Sequence, residues 1–188
     1  MLIYRWSDDC VQAESVRHIL DYIQSSLRVE DKGILRSVYS ALTELLYNIR
    51  EHAYPEVTDN SYCPWSVTLT RVGDGRLSIV VEDNGISIPV SILQKVFNHR
   101  ASLSNANCDD SMLITQAVNY TSTNNSSGRG KGLKSILRLI DADSLEALCI
   151  SSRNGVFCYP SEASLSSYAG NNSVNGTVVE IIISEGAV

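Results

Sequence analysis

Ala41-Leu42-Thr43-Glu44-Leu45-Leu46-Tyr47-Asn48-Ile49-Arg50-Glu51-His52-Ala53-Tyr54 is the stretch on which the fold of this chain turns. Together with the residues before it, Ile34, Leu35, Val38, Leu42, Leu45, Leu46 and Ile49 recur at helical spacing and define one apolar face. Glu44 and Asn48 are four apart, so their side chains stack on one helix face. Glu51 or His52 follows a turn later. A carboxylate and a carboxamide stacked in this way suit a hydrated magnesium ion, which takes few protein oxygens, keeps several waters and shares the rest of its shell with phosphate. The spacing alone is common and favours a solvated helix face. The sequence downstream separates the two readings.

Pro55 limits the helix, because proline disfavours helical backbone at the residue before it. A polar loop with Asn60 and Pro64 leads to two alternating runs, Trp65–Val72 and Arg76–Glu82, joined by Gly73-Asp74-Gly75. That is hairpin chemistry. The second run passes directly into Asp83-Asn84-Gly85-Ile86-Ser87-Ile88-Pro89. Val90–Phe97 and Asp110–Tyr120 read as helices among Ser-, Asn- and Thr-rich stretches, a composition usual in functional or mobile segments. Ser127-Gly128-Arg129-Gly130-Lys131-Gly132-Leu133 then opens a helix with Leu133, Ile136, Leu137 and Ile140 inward. Leu145–Ser151 and Val156–Tyr159 form a second hairpin around Asn154-Gly155. Gly176-Thr177 leads into Val178–Ile183, whose β-branched density marks a buried strand.

Upstream, residues 2–6 read as a strand, and Ser7, Asp8 and Asp9 are N-cap candidates for a helix carrying Val16, Ile19, Leu20, Ile23 and Leu27. His18 on that helix reads as a surface side chain. Phe157–Asn175 is longer than a hairpin requires, and a partner-binding loop and a tolerated surface insertion both remain open. Hairpins separated by helices, with no repeat and no linker, predict one domain over 1–188. Its class is α+β: a two-layer sandwich with a mixed, mainly antiparallel sheet and helices on one face.

Composition narrows the partners. A net charge of -6 argues against a nucleic-acid surface, which needs clustered Lys and Arg. Backbone amides still bind phosphate without net positive charge. No apolar run is long enough to span a membrane, and no basic-then-apolar leader opens the chain. The five cysteines are scattered and odd in number, which predicts reduced thiols in the cytoplasm and no structural zinc.

Gly128, Gly130 and Gly132 at a helix start make a phosphate cradle, since glycines admit an anion to the unpaired helix N–H groups. The spacing is neither that of a dinucleotide fingerprint nor that of a P-loop. In order along the chain, these elements resemble the GHKL ATPase superfamily of gyrase, the heat-shock chaperone ATPase, histidine kinases and MutL. Glu44-x-x-x-Asn48-x-x-x-His52-Ala53 is similar to its N box, Asp83-x-Gly85-x-Ser87-Ile88-Pro89 to its first glycine box and Gly128–Leu133 to its second. Gly176-Thr177 is similar to its closing Gly-Thr element.

The resemblance implies a Bergerat-type fold that binds ATP and Mg2+, with Asn48 as the metal ligand and Glu44 as general base. It implies that Asp83 accepts from the adenine amino group, that Gly85 lets the backbone pass close to the base and that Thr177 supports that site. Gly130, Gly132 and Leu133 would offer amides to phosphate, and Ile88, Gly128, Arg129 and Lys131 complete the nucleotide-binding set. Residues of about 90–127 would be the ATP lid. Ser87 stands where the family usually has glycine, which strains the loop if that position needs positive φ.

Size separates the members. The resemblance is to stand-alone ATPase domains of the anti-sigma serine-kinase type, since a second lysine-bearing domain and a phosphoacceptor hairpin have no room here. It implies a regulatory protein partner, with homodimerisation open, and transfer of the γ-phosphoryl to a partner Ser or Thr. A nucleotide-gated binding module and a simple ATP hydrolase are the alternatives.

Overall fold

The computed structural model describes residues 2–27, 29–57, 62–73, 75–99, 109–119, 132–163 and 173–184. In chain order the elements are β1 (Leu2–Asp8), α1 (Ala13–Leu27), α2 (Lys32–Asn48), a π-helical turn (Ile49–Ala53), β2 (Trp65–Arg71) and β3 (Arg76–Asp83). They continue with α3 (Ile88–His99), α4 (Asp110–Asn119), α5 (Leu133–Asp141), β4 (Ala147–Arg153), β5 (Gly155–Tyr159) and β6 (Val174–Ser184). The strands form one sheet in the order β1-β2-β3-β6-β4-β5, and every pairing is antiparallel.

Strand alternation sorts the residues onto two faces. Leu69, Ile79, Ile181 and Leu148 are successive cross-strand partners, and all four are 0% exposed. They join a single apolar cluster with Ile19 and Ile23 of α1, Val38, Leu42 and Leu45 of α2, Ile114 of α4 and Ile136 of α5. The helices therefore cover one face of the sheet, as the α+β reading expects. Burying each such aliphatic side chain contributes about 1.5–3 kcal/mol, so the helical stripe seen in the sequence is also what fixes α2 against the sheet.

The N-terminal boundary differs from expectation. Ser7 and Asp8 lie inside β1, and Asp8 accepts from the backbone N–H of Cys10 (3.3 Å) rather than capping α1. The cysteine reading is corrected at one pair. Cys149 and Cys158 face each other across β4–β5 with Cα atoms 4.2 Å apart and form a disulfide. Hairpin register, not sequence spacing, brings them together, and this removes the cysteine-based argument for a reducing compartment at that pair. Cys10 and Cys63 are thiols. Among the described residues, no helix is long and apolar enough to cross a membrane.

Residues 90–99 and 110–119 of the expected lid lie in α3 and α4, while 100–108 and 120–127 lie outside the described residues. α4 is anchored. Leu113, Ile114 and Val118 are buried, Asp110 accepts from the backbone N–H of Asn154 (3.2 Å), and the N–H of Val156 donates to Ser111 (3.1 Å). Gly155 permits that contact, because a β-carbon there would sit 2.5 Å from the carbonyl carbon of Asp110. Of the long segment 157–175, residues 164–172 also lie outside the described residues.

Candidate functional site

α2 starts at Asp31, whose Oδ1 accepts from the N–H groups of Gly33 (2.6 Å) and Ile34 (3.0 Å), satisfying two donors that a helix start leaves unpaired. Its apolar face is buried, so its opposite edge presents Glu44 and Asn48, both half-buried. Glu44 reaches the start of α5: its Oε2 accepts from the N–H of Gly132 at 3.2 Å. Gly132 caps α5 with φ 71°, a left-handed conformation that favours glycine. The N box and the end of the second glycine box are thus in direct contact. The carboxylate lies where a helix N-terminus attracts negative charge. Leu133, the next residue, packs into the core at 7% exposure. Gly128, Arg129, Gly130 and Lys131 lie outside the described residues.

Beyond Asn48 the helix widens into the π turn Ile49–Ala53, a distortion frequent at functional sites. The end of that turn holds the first glycine box. The N–H of Ile86 donates to the carbonyl of Ala53 (2.8 Å). Tyr54 Oη accepts from the N–H of Asn84 (3.0 Å) and donates to the carbonyl of Pro64 (2.6 Å). Burial, the largest cause, pushes the Tyr54 phenol up to about 12, so it stays a donor at neutral pH. A β-carbon on Gly85 would fall 2.3 Å from the carbonyl oxygen of Ala53. The glycine requirement visible here is close packing on the π turn. His52, as the sequence suggests, is a helix-end residue with Nδ1 2.8 Å from the carbonyl of Glu51.

Asp83 ends β3 and is 8% exposed. Its carboxylate accepts from the N–H of Gly85 (2.9 Å) and from the backbone amide of Thr177, its partner across the β3–β6 ladder. Burial raises its pKa from 3.8 to about 6, and the two amides hold it from rising further. Gly176, φ 75°, lets β6 pass close: a β-carbon there would lie 2.1 Å from the carbonyl oxygen of Asp83.

Ser152, which the sequence does not single out, closes the cluster. Its hydroxyl donates to the carbonyl of Gly176 (2.7 Å) and accepts from the N–H of Ile88 (3.1 Å). Its single proton being committed, the 3.1 Å contact with Thr177 Oγ1 makes Thr177 the donor. The only available signal is register, which places Ser152 opposite Thr177.

Ser87 does adopt positive φ, at 75°. It is 6% exposed, and its hydroxyl has no hydrogen-bond partner among the described residues. A left-handed conformation costs a residue with a β-carbon roughly 1–2 kcal/mol, and an unbonded buried hydroxyl about 1–3 kcal/mol.

Among the described residues, no group of three or more His, Cys, Asp or Glu is placed to hold a metal ion. The amide oxygen of Asn48 with Glu44 on the same face is a donor set that fits a magnesium ion taking its remaining ligands from phosphate and water.

A buried carboxylate acceptor stands at one end and an anion-attracting helix start at the other, bridged by one helix over an antiparallel sheet. The chain belongs to the family of histidine kinase-, DNA gyrase B-, and HSP90-like ATPases, which matches it over residues 33–184. No curated protein matches it.

Proposed function

We propose that this chain is an ATP-dependent regulatory protein that transfers the γ-phosphoryl group of Mg-ATP to a Ser or Thr hydroxyl of a partner protein. The observation that carries the reading is Glu44: a carboxylate seated on the amide of Gly132, at the phosphate-attracting start of α5. From there it would take the proton of an attacking hydroxyl as that oxygen bonds to the γ-phosphorus, the bond to the β-phosphate oxygen breaks and ADP leaves. Asp83, with Thr177 and Ser152 behind it, would receive the adenine amino group, and Gly85 sets the turn beside it. Asn48 would hold magnesium, which neutralises charge on the phosphates when bound. Ile88, Gly128, Arg129, Gly130, Lys131, Gly132 and Leu133 would complete the nucleotide-binding set. The partner is a regulatory protein, and a homodimer of this chain is compatible with the same chemistry.

The same contact leaves a second reading open. The 3.2 Å bond from Gly132 engages the Glu44 carboxylate, which suits a module that binds nucleotide and changes its partner surface without turnover. The test is calorimetric titration of Mg-ATP with wild type, Asp83→Asn and Glu44→Ala, followed by γ-labelled ATP with a degenerate Ser/Thr peptide library. Phosphotransfer expects wild-type labelling, loss of labelling but retained ATP binding in Glu44→Ala, and lost binding in Asp83→Asn. Tight ATP binding with neither labelling nor hydrolysis sinks the kinase reading in favour of the binding module. Rapid hydrolysis without labelling favours a simple ATPase.

A further inference from the structure

β5 is held in the sheet from one side. It is an edge strand whose neighbour is β4, and β4 is paired on its other side to β6. The N–H of Val156 points away from β4 and donates to Ser111 of α4 (3.1 Å). Val156 and its partner Ser151 therefore exchange no backbone hydrogen bonds, and by the alternation of an antiparallel ladder neither do Cys158 and Cys149. The disulfide ties the strands where the ladder does not. Leu148 and Ile150 face the helices, so the bond lies on the opposite face of the sheet. Cys149 is buried there, whereas Cys158 is partly exposed. The residues just before Cys158 carry the dock of α4. Asp110 accepts from the N–H of Asn154 (3.2 Å) and lies 4.0 Å from the guanidinium of Arg153, and the backbone at Asp110 and Ser111 packs on Gly155. Beyond Cys158, Tyr159 Oη donates to Asp141 (2.5 Å) in an exposed bond.

We propose that the Cys149–Cys158 bond is a site of reversible thiol–disulfide exchange with a dithiol reductant, and that its reduction loosens β5 and the dock of α4 with it. One thiolate of the reductant attacks Sγ of Cys158, the partly exposed end, and the S–S bond breaks. Cys149 leaves as a thiolate and takes up a proton. The second thiolate of the reductant then attacks the first in the mixed disulfide and releases Cys158. The reductant departs as a disulfide, and the protein keeps two electrons and two protons. β4 stays in the sheet because β6 holds it along its length. β5 then relies on the alternate ladder pairs, the packing of Phe157 and the bond of Tyr159. The cysteines are 9 residues apart, and so short a loop constrains the unfolded chain less than a long-range link does. The domain therefore stays folded when the bond opens, and the change is confined to the sheet edge.

The experiment is amide hydrogen exchange on the full chain, oxidised with glutathione disulfide and then measured with and without dithiothreitol, beside Cys158→Ser under the same conditions. Native alkylation with mass spectrometry reports the state of Cys149 and Cys158, and circular dichroism reports the fold. Dithiothreitol should free both thiols in the folded wild type. It should speed exchange about tenfold at the amides of Asn154, Val156 and α4, and leave β3 and β6 unchanged. Cys158→Ser should exchange at the fast rate whether or not dithiothreitol is present, which assigns the effect to this bond rather than to Cys10 or Cys63. A bond that does not form under glutathione disulfide, or that opens only in denaturant, overturns the proposal. So does a reduced, folded wild type whose α4 exchanges at the oxidised rate. Loss of protection across the whole sheet on reduction also overturns it, because the bond is then a staple of the fold and not a switch at its edge.

Discussion

Replacing Asp83 by asparagine should separate stability from binding, with the separation depending on pH. In the folded protein the carboxyl titrates at about 6, against an ordinary 3.8, chiefly because it is buried. Between these values the folded state holds more protons than the unfolded one, so stability falls as pH rises and the loss is complete above about pH 6. At roughly 1.4 kcal/mol per tenfold change in proton affinity, the ionised carboxylate costs up to about 3 kcal/mol at neutral pH. Asparagine does not titrate. It brings buried donors of its own, at about 1–3 kcal/mol for each left unbonded, so the absolute sign of its effect at one pH is not diagnostic. The pH dependence is. Urea unfolding at pH 4.5 and 7.5 should show the variant gaining about 2 kcal/mol on wild type between the two conditions, while its ATP affinity is lost. Wild-type ATP affinity should fall as pH drops through about 6, because protonation turns one carboxylate oxygen into a donor and weakens the acceptor offered to the adenine amino group. A stability difference that stays flat from pH 4.5 to 7.5 would refute the placement of a buried, strained-to-ionise carboxylate at this strand end.

Two further substitutions probe the hold of the π turn on the first glycine box. Gly85→Ala places a methyl 2.3 Å from the carbonyl of Ala53; it should cost about 1–3 kcal/mol in urea unfolding and weaken ATP binding, and wild-type stability would contradict the packing. Tyr54→Phe removes the acceptor of Asn84 N–H and the donor to Pro64. It should cost about 1–3 kcal/mol and speed hydrogen exchange at the Asn84 amide, whereas unchanged exchange there would show that the phenol does not hold the turn.

Legibility in the sequence followed the kind of interaction. Helix α2 is readable because Val38, Leu42 and Leu45 repeat at the period of the backbone, and the hairpin β2–β3 because alternation and glycine turns are local signals. Glu44 and Asn48 are readable as stacked because both fall within one regular helix. The π turn is not readable: one extra residue in a helical turn has no compositional mark, and Ile49–Ala53 looks like ordinary helix. Ser152 and the Cys149–Cys158 pair are set by cross-strand register, a non-local quantity that depends on where each strand starts. Ser87 lies between these cases. Its departure from glycine is visible in the sequence, and the φ of 75° that makes the departure costly is a property of the loop's closure onto Ser152 and Asp83.

Helix α2 and its π turn also tie the two ends of the site together. Glu44 meets Gly132, and nine residues later Ala53 meets Ile86 while Tyr54 meets Asn84. At 1.5 Å per residue these contacts stand about 13 Å apart along the axis, and between them Leu45, Leu46 and Ile49 are clamped in the core. A rigid element with contacts at both ends transmits a displacement rather than absorbing it. A phosphate group that took over the Gly132 amide would displace the Glu44 carboxylate, and the strain would reach the first glycine box through the π turn. The π turn is the softest part of that route, because its hydrogen bonding is not the regular ladder of α2. Coupling along this route would run through Ala53 and Tyr54, which bond to Ile86 and Asn84. This makes Tyr54→Phe a test of communication as well as stability: it should reduce the cooperativity between adenosine and inorganic phosphate binding, and equal cooperativity in variant and wild type would place the coupling elsewhere in the fold.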